Sequence, residues 1–470
     1  MKLGQAWNSR GMRKLRRNKL AMVALAIIGA YLAVALGVMF GLVTLEDTRE
    51  RALPNQTPGL FGSQSNDKRV LDATWLNDRL ASGLSIASSS SQADDERRFR
   101  QLNDSVGMAE RVVPIGQSFS EATAKIEAAL ASFELLDEAL LDYEDIEDEH
   151  FAIEEEIAEL EADVAAARAA EPSNADEIAE LEEEIVGLRE ELAEVSPLLE
   201  ESTAARDAAL LETEAAQLEA LPMPSGFGGA VYAVRTSLGG DEGGRSIAMK
   251  AIYSIKIAFQ VGFVTAIVCV LLGTALGAAA AFYGGWVDYG VMFIVSVFSS
   301  IPSLVLLVVI RYIFSDSPLF DNAAERPGLA LVPVYAAFCL TFWIGTCRVV
   351  RGEVMKLKEL EYVQAAQAIG FGRMYILFKH VVPNTAHLMF INFSLLFIGA
   401  IKSEVILSFL NLGVKGQPSW GLMISNGKND VTKFFFWDVL SATGFMFVLV
   451  LAFNILSDAL QDAFDPKHVG

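Results

Sequence analysis

Six long apolar runs divide this 470-residue chain, and they restrict its fold more than any other feature. An apolar run of about 20 residues forms a helix that spans the hydrocarbon core of a bilayer. The composition, 52% hydrophobic, is too apolar for an ordinary soluble protein. We therefore predict an all-α, polytopic protein of the lipid bilayer with six transmembrane helices, at residues 20–43, 257–282, 291–314, 329–350, 388–412 and 439–456.

Basic residues set the expected orientation of these helices. Positive charges beside a transmembrane helix favour the cytoplasmic side, so a basic N-terminus and six crossings place both termini in the cytoplasm. The same alternation places residues 351–387 there and residues 46–236 outside. No small-x-small site follows the long first run, which favours a retained helix over a cleaved signal peptide. The basic residues are Lys2, Arg10, Arg13, Lys14, Arg16, Arg17 and Lys19 before the first run, and Arg351, Lys356, Lys358, Arg373 and Lys379 in the loop.

The acidity of the chain is confined to one segment. The formal net charge is −22. Residues 120–220 hold about 33 acidic and about four basic residues, so the remainder of the chain is mildly basic. Duplex nucleic acid requires a basic binding surface, and this charge distribution therefore argues against nucleic acid as a partner.

That acidic segment predicts a helical hairpin. Apolar residues alternate by three and four along two stretches, as in the seam of a coiled coil, and a breaker at 171–176 separates the stretches. We predict a hairpin over about 119–221, without choosing between intramolecular and dimeric pairing. Residues 46–116 predict no more than a short helix around 75–84. The seam residues are Ile153, Ile157, Leu160 and Val164, then Ile178, Leu181, Ile185, Leu188, Leu192, Val195 and Leu199.

The loop between the fourth and fifth runs contains a segment rich in small residues. A first short helix is predicted from apolar residues at about every third position, with Gly370 as its C-terminal cap. A second amphipathic segment follows, which we expect Pro383 to end. Ala365, Ala366 and Gly370 would allow another protein to approach closely; the alternative is an ordinary interfacial loop. The apolar residues are Leu357, Leu360, Val363 and Ala366, then Met374, Leu377, Phe378 and Val381.

Several separate motifs, in order, resemble the dipeptide/oligopeptide/nickel permease family of bacterial ABC importers, and its C-type subunit in particular. Residues 362–370 read Tyr-Val-Gln-Ala-Ala-Gln-Ala-Ile-Gly, and 379–384 read Lys-His-Val-Val-Pro-Asn. Further matches lie at 238–245, 404–413, 418–421 and 453–462, followed by Asp465 and Pro466. The resemblance covers the first helix and residues from about 238 onward. It implies three parts: residues 1–45, an insertion at 46–236, and a five-helix permease core at 237–470.

This resemblance implies a location in the bacterial inner membrane, a periplasmic insertion and a set of partners. These are a second homologous permease subunit, two ATP-binding-cassette ATPase subunits and a periplasmic solute-binding protein. ATP and Mg²⁺ would be bound by the ATPase, with no cofactor in this chain. The ATPase would bind the loop, although Gln364 stands where many relatives have Glu. The implied contact residues are Glu361, Gln364, Ala365, Ala366, Gly370, Arg373, Lys379 and Pro383.

Polar residues inside apolar runs are candidates for a transport pathway, because intramembrane charges usually face a cavity or a partner. Lys402 and Glu404 are two residues apart and should lie on different helix faces. Glu404 is expected either to line the pathway or to form a structural hydrogen bond between helices. Trp420 is expected near the substrate entrance or as an interfacial anchor. Pro302 should bend the third span. Further polar residues in the spans are Lys256, Gln260 and Arg311.

No catalytic or metal-binding motif is visible. The glycine-rich residues 239–244 lack the Lys-Ser/Thr of a phosphate-binding loop, and no His-Glu-x-x-His pair occurs. The three cysteines fall within the apolar runs or at their ends. This absence of motifs predicts a chain that is not an enzyme, and the resemblance to the permease family implies a transport subunit that moves peptides or similar small solutes. The alternative function is a membrane-anchored coiled-coil protein that tethers envelope components. For the hairpin itself, a docking arm and a solvated spacer both remain open.

Overall fold

The computed structural model describes residues 17–48, 66–89, 95–106, 112–114, 118–169, 175–315, 331–414, 416–433 and 435–464. The basic residues before Arg17, most of the predicted breaker at 171–176, and the Asp465-Pro466 pair lie outside these residues. The chain forms two compact units: Met1–Arg49 with Arg235–Gly470, and Glu50–Val234. The regular structure of the described residues is helical, without a strand, and confirms the predicted all-α class.

Fifteen α-helices are described, and they are numbered here in chain order. They are α1 (Lys19–Met39), α2 (Asn66–Ser89), α3 (Asp95–Val106), α4 (Phe119–Ala169), α5 (Ala175–Ala220), α6 (Gly226–Thr236), α7 (Ile247–Tyr283), α8 (Gly285–Ser299), α9 (Ser303–Ser315), α10 (Val332–Leu357), α11 (Glu361–Ala368), α12 (Arg373–Ile376), α13 (Ala386–Phe409), α14 (Trp420–Gly427) and α15 (Trp437–Phe464). Short 3₁₀ or π segments lie at Glu46–Thr48, Leu377–Val381, Val382–Thr385 and Asp430–Lys433.

Five helical stretches are long and apolar enough to cross a membrane: Lys19–Met39, Ile247–Tyr283, Val332–Leu357, Arg373–Phe409 and Trp437–Ala463. The predicted third span is instead two helices, α8 and α9, which meet at 91°. Pro302 lies between them and has no N–H for a helical hydrogen bond. The bend expected there is therefore present, and the span count reaches six when this bent pair counts as one.

The second span starts ten residues earlier than hydropathy predicts. The Ser246 hydroxyl caps α7 by accepting a hydrogen bond from the Met249 N–H at 3.2 Å. The first turns of α7 carry Lys250 and Ser254, which lower the mean hydropathy although both side chains are buried. Hydropathy therefore locates the apolar centre of this helix. It misses the first turns, whose polar side chains are buried inside the protein.

Helix α7 lies at the centre of the membrane unit and packs very closely against α10. A Cβ atom built at Gly277 would lie 2.4 Å from the carbonyl oxygen of Cys347, and one at Gly273 would lie 2.7 Å from that of Trp343. Small residues allow helix backbones to approach in this way, because lipid supplies no hydrophobic force between helices. On another face, Phe259 of α7 packs edge-on against Phe397 of α13, with ring centroids 5.4 Å apart.

In the other unit, α4 and α5 run antiparallel along their length. Arg189 of α5 donates a hydrogen bond to Glu161 of α4 at 2.6 Å, and Thr213 donates to the carbonyl of Ser132 at 3.0 Å. Apolar residues at heptad spacing fill the contact between the two helices. They are Ile146, Ile153, Ile157, Leu160, Val164, Ile178, Leu181, Ile185, Leu188, Leu192 and Val195.

Residues 46–116 contain more helix than the one short helix predicted there, because both α2 and α3 lie in this region. Leu76 and Leu80 of α2 pack against Phe99 and Leu102 of α3, and this cluster extends to the base of the α4–α5 pair. Polar residues dilute the apolar pattern of α2, so the helix depends on packing rather than on a strong local signal. A small globular base therefore supports the long helical pair.

The close α7–α10 contact yields a stability prediction. Gly277→Ala should lower the free energy of unfolding by about 1–3 kcal/mol, because the added methyl group overlaps the α10 backbone. Gly345→Ala on α10 is the matched control, since no atom lies within 4 Å of a Cβ there. Thermal denaturation of the detergent-purified variants measures the difference. Equal melting temperatures for both variants would contradict the packing described.

Candidate functional site

Helix α11 is a short, well-defined helix that follows α10. Gly370 has a φ of +94°, a left-handed conformation that favours glycine. The Phe371 N–H donates to the Ala366 carbonyl at 3.2 Å, and the Gly370 N–H donates to the Gln367 carbonyl at 3.0 Å. This pair of bonds is the Schellman arrangement that closes a helix C-terminus. Gly370 is therefore the C-terminal glycine cap of α11, as predicted.

One face of α11 is buried against the membrane helices. Val363 and Ala366 pack in a cluster with Val354 of α10 and with Ala278 and Ala281 near the end of α7. The expectation that Ala366 faces a partner was therefore wrong. Helical geometry separates it from Ala365, which is exposed. We call residues 361–384, which include α11 and the turns after it, the coupling segment.

The opposite side of the coupling segment is accessible. Gln364 uses its side-chain N–H to bond the carbonyl of Glu359 at 3.1 Å, so it stabilises the turn before α11. Lys379 lies over the Tyr375 ring at 5.9 Å. The exposed residues among those predicted from sequence are Glu361, Gln364, Ala365, Gly370, Arg373, Lys379 and Pro383.

Large apolar side chains are also exposed on this segment. Met374 and Phe378 were grouped with Leu377 and Val381 as the apolar residues of an amphipathic segment, but their side chains are 57% and 63% exposed. The buried positions are Ile376, Leu377 and Val381. Apolar residues occupy both faces of residues 373–382, so periodicity alone could not choose between them. The exposed apolar residues of the segment are Tyr362, Ile369, Phe371, Met374, Tyr375 and Phe378.

Pro383 does not end the helical path, contrary to prediction. A π turn at Leu377–Val381 and a 3₁₀ turn at Val382–Thr385 carry the chain into α13. The changed hydrogen-bond spacing accommodates a residue that has no N–H and crowds the preceding turn. The coupling segment is therefore joined to a membrane-spanning helix without a loop.

Asn384 ties the two halves of the coupling segment together. Its side-chain N–H group donates to the Tyr362 hydroxyl at 2.7 Å and to the His380 carbonyl at 2.8 Å. The His380 ring lies between the rings of Tyr362 and Tyr375, at 6.5 and 6.0 Å. Sequence reasoning missed this clamp, because residues 22 positions apart give no periodic signal.

Lys402 and Glu404, the two polar residues predicted on α13, differ in exposure, as expected for residues on different faces of the helix. Lys402 is exposed, whereas Glu404 is 3% exposed and accepts a hydrogen bond from the Ser408 hydroxyl at 2.6 Å. Ser408 also lies 3.3 Å from the Ser419 hydroxyl. Glu404 therefore forms a hydrogen bond within α13 itself, and the two roles considered for it, a bond between helices and a place in the pathway, stay predictions.

Trp420 belongs to the interior of the unit. It is 1% exposed, and its indole N–H donates to the Ala251 carbonyl of α7 at 3.1 Å. The expectation of an interfacial anchor was therefore wrong for this side chain, whereas a position near the substrate entrance stays a prediction. It starts α14, whose N-terminus is capped by the Ser419 hydroxyl. The burial of Trp420 could not be predicted from the sequence, because the partner of its buried N–H is a backbone carbonyl far along the chain.

A buried ion triad was also missed. The Lys250 ammonium of α7 lies 2.8 Å from Asp241 and 2.9 Å from Asp438, and all three side chains are at least nine-tenths buried. Asp241 belongs to a motif already noted, and a lysine at the start of an apolar helix requires a carboxylate. That rule could have found the triad. Within the part of the chain that the structure describes, no group of three or more His, Cys, Asp or Glu side chains could hold a metal ion.

Comparisons with known proteins agree with this arrangement. Residues 270–469 match the family model described as "Binding-protein-dependent transport system inner membrane component". The dipeptide transport system permease protein DppC of Bacillus subtilis is 33% identical over 230 residues, which are 49% of this chain and 68% of that protein. The oligopeptide transport system permease protein OppC of Escherichia coli K12 is 31% identical over 231 residues, 49% of this chain and 72% of that protein.

A third relative is the glutathione transport system permease protein GsiD of Pectobacterium atrosepticum. It is 30% identical over 231 residues, again 49% of this chain and 72% of the relative. The residues that match the family model, 270–469, contain the coupling segment, the second part of α7 and the membrane helices that follow it. The chain belongs to the family of binding-protein-dependent transport system inner membrane components, the membrane permeases of ABC importers.

Proposed function

We propose that this chain is the permease subunit of an ATP-driven importer for peptides or similar small solutes, and that the coupling segment binds the ATPase. The observation that carries the proposal is the exposed apolar and basic surface of residues 361–384, held directly against α7, α10 and α13. Relatives named for dipeptide, oligopeptide and glutathione transport support a small peptide-like cargo.

The coupling segment has the properties needed to transmit movement of a bound partner to the membrane helices. Val363 and Ala366 attach it to the ends of α7 and α10, and its turns continue into α13. A partner that pushes or pulls this segment would therefore move the membrane helices as rigid bodies. Exposed aromatic rings and methionine are typical of the buried centre of a protein interface. Arg373 and Lys379 could pair with acidic residues around that centre.

The proposal extends to the partners, the chemistry and the orientation. A second permease of the same family, two ATPase subunits and a solute-binding protein would complete the importer, and the ATPase would bind ATP and Mg²⁺. This chain would then carry out no hydrolysis itself. Both termini and the coupling segment would lie in the cytoplasm, and residues 46–236 would lie in the periplasm, as the basic residues favour.

The first test replaces one exposed side chain of the coupling segment. Ile369→Asp should lower the amount of ATPase that copurifies with the chain by at least about ten-fold, because a charge would be buried without a partner at the interface. Val431→Asp is the matched control: Val431 is also exposed, at 46%, but lies in the 3₁₀ turn before α15.

Ala366→Glu is unsuitable for this test, because Ala366 is buried within the chain and the variant would disturb its folding. Copurification of equal ATPase with Ile369→Asp, Val431→Asp and the unchanged chain would refute the proposed interface. Loss with both variants would point to a general defect and would equally refute it.

The second test asks whether the long helical pair takes part in transport. Residues 145–200 can be replaced by a short glycine-rich turn, because α4 and α5 lie side by side there and the base formed with α2 and α3 is retained. If the pair is a spacer, peptide uptake by the complex should stay within about two-fold of the unchanged protein, as for other tolerated loop changes. Loss of uptake together with loss of a copurifying envelope protein would instead identify a docking arm.

A further inference from the structure

Lys402 is a charged residue within a membrane-spanning stretch, and its side chain is exposed. Within the residues that the structure describes, its ammonium group forms no hydrogen bond and no ion pair. The nearest carboxylate along the helix, that of Glu404, is buried and accepts the Ser408 hydroxyl instead. A charge in a span is costly in lipid and usually faces water or a partner. Lys402 therefore indicates that its face of α13 contacts something other than lipid tails.

The exposed residues of α13 form one stripe along the helix. Leu395, Lys402, Ile406 and Phe409 follow one another at intervals of seven, four and three residues, which places them on the same helical face. The opposite face packs into the membrane unit through Phe397 and its apolar neighbours. We call these four exposed residues the α13 stripe.

A second lysine lies at the end of this stripe. The Lys428 ammonium, which follows α14, lies 5.5 Å from the centre of the Phe409 ring. Phe409 comes two turns after Lys402, about 10 Å along the helix. This end of α13 is the one opposite to the coupling segment, which precedes the helix. Two cations thus lie in series along the stripe, with the apolar side chains of Ile406 and Phe409 between them.

Helix α7 adds a third cation at a similar level. α7 and α13 run antiparallel, and Phe259 packs against Phe397 with ring centroids 5.4 Å apart. Lys256 precedes Phe259 by three residues and Lys402 follows Phe397 by five, so the two lysines lie at a similar depth. Lys256 is half-buried, and its ammonium lies 3.3 Å from the Tyr253 hydroxyl. The potential around this part of the membrane unit is therefore positive.

Helix α1 shows how a surface suited to lipid looks in the same unit. Residues 20–39 contain no charged residue, and the exposed side chains there include Val23, Leu32 and Leu36. Such a surface leaves no polar group without a partner in the hydrocarbon region. The α13 stripe differs from it by an exposed charge inside the span and a second charge at its end.

We propose that the α13 stripe lines the solute pathway, and that Lys428 and then Lys402 attract the carboxylate of a small organic solute. Each ammonium group offers both a positive charge and N–H donors to carboxylate oxygens. Two sites in series let the carboxylate bind and still move on, as passage through a membrane requires. That this solute is the imported cargo rests on the proposed function. The preference of the stripe for anions does not depend on it.

The first test measures charge preference on the stripe. Ile406→Cys places a reporter between the two lysines, and the full chain with its copurifying subunits is studied in lipid nanodiscs, with and without MgATP. Rates with sulfonatoethyl and aminoethyl methanethiosulfonate are read by mass spectrometry on the peptide containing residue 406, so the native cysteines stay in place. The anionic reagent should react, and Lys402→Gln should lower the anion-to-cation rate ratio by about ten-fold, as one nearby charge in a partly screened site implies.

Two matched variants serve as controls. Lys356→Gln removes the same charge from α10, where Lys356 is paired with Glu353 at 3.2 Å, and should leave the rate ratio at residue 406 unchanged. Leu32→Cys on α1, at a side chain that is 40% exposed, should not react with the anionic reagent. The reacting species is a thiolate, which does not form among lipid tails.

Competition with defined peptides tests the ligand class. Alanylalanine should slow sulfonatoethyl labelling of Ile406→Cys. Alanylalanine amide, which keeps the amine and lacks the carboxylate, should not slow it at the same concentration. Lys402→Gln should abolish the protection by alanylalanine. If that variant does not fold, the two peptides still decide the matter on the chain that retains Lys402.

Several outcomes would refute the proposal. No reaction at Ile406→Cys, with or without MgATP, would show that lipid or a partner subunit covers the stripe. A rate ratio that Lys402→Gln leaves unchanged would show that this lysine does not act on anions there. Equal protection by both peptides, or by neither, would rule out a carboxylate site. If no ATPase copurifies, the proposed coupling fails, whereas the anion preference is still measured on the chain alone.

Discussion

The close approach of α7 and α10 is the contact on which the membrane unit depends. Gly273 and Gly277 bring the two backbones within a distance that no side chain could occupy. In a bilayer, where apolar side chains gain little by leaving lipid, such backbone proximity supplies the dispersion contacts that hold helices together. The other faces of α7 then receive α13, through Phe397, and the ion triad at Lys250. Helix α7 thus connects three otherwise separate features: the close contact with α10, the packing of α13 and the ion triad.

That central helix also connects a short surface segment to the rest of the unit. The far end of α7 contacts Val363 and Ala366 of the coupling segment, and its near end carries Lys250 of the ion triad. The Schellman cap at Gly370 and the Asn384 clamp make the segment a compact body rather than a flexible loop. A rigid segment on a rigid helix can transmit displacement, whereas a mobile loop would absorb it.

Much of this architecture could be predicted from the sequence. The features that could not be predicted share identifiable physical reasons. Apolar run length predicted the spans, and Pro302 predicted the break between α8 and α9, because both are local properties. The burial of Trp420 and the inward orientation of Ala366 depend on partners far along the chain, so periodicity could not reveal them. For the Asp241–Lys250–Asp438 triad, a lysine in an apolar helix indicates a carboxylate partner, but the sequence does not say that one partner lies 188 positions away.

If residues 361–384 bind an ATPase, a cross-linker in this segment should capture it. A photo-reactive benzoylphenylalanine can replace Ile369, which is 74% exposed, in the assembled complex. We expect a cross-link from this position to the ATPase subunit and none from the same residue placed at Val431. Cross-linking to the ATPase from Val431, with none from position 369, would show that the ATPase binds elsewhere.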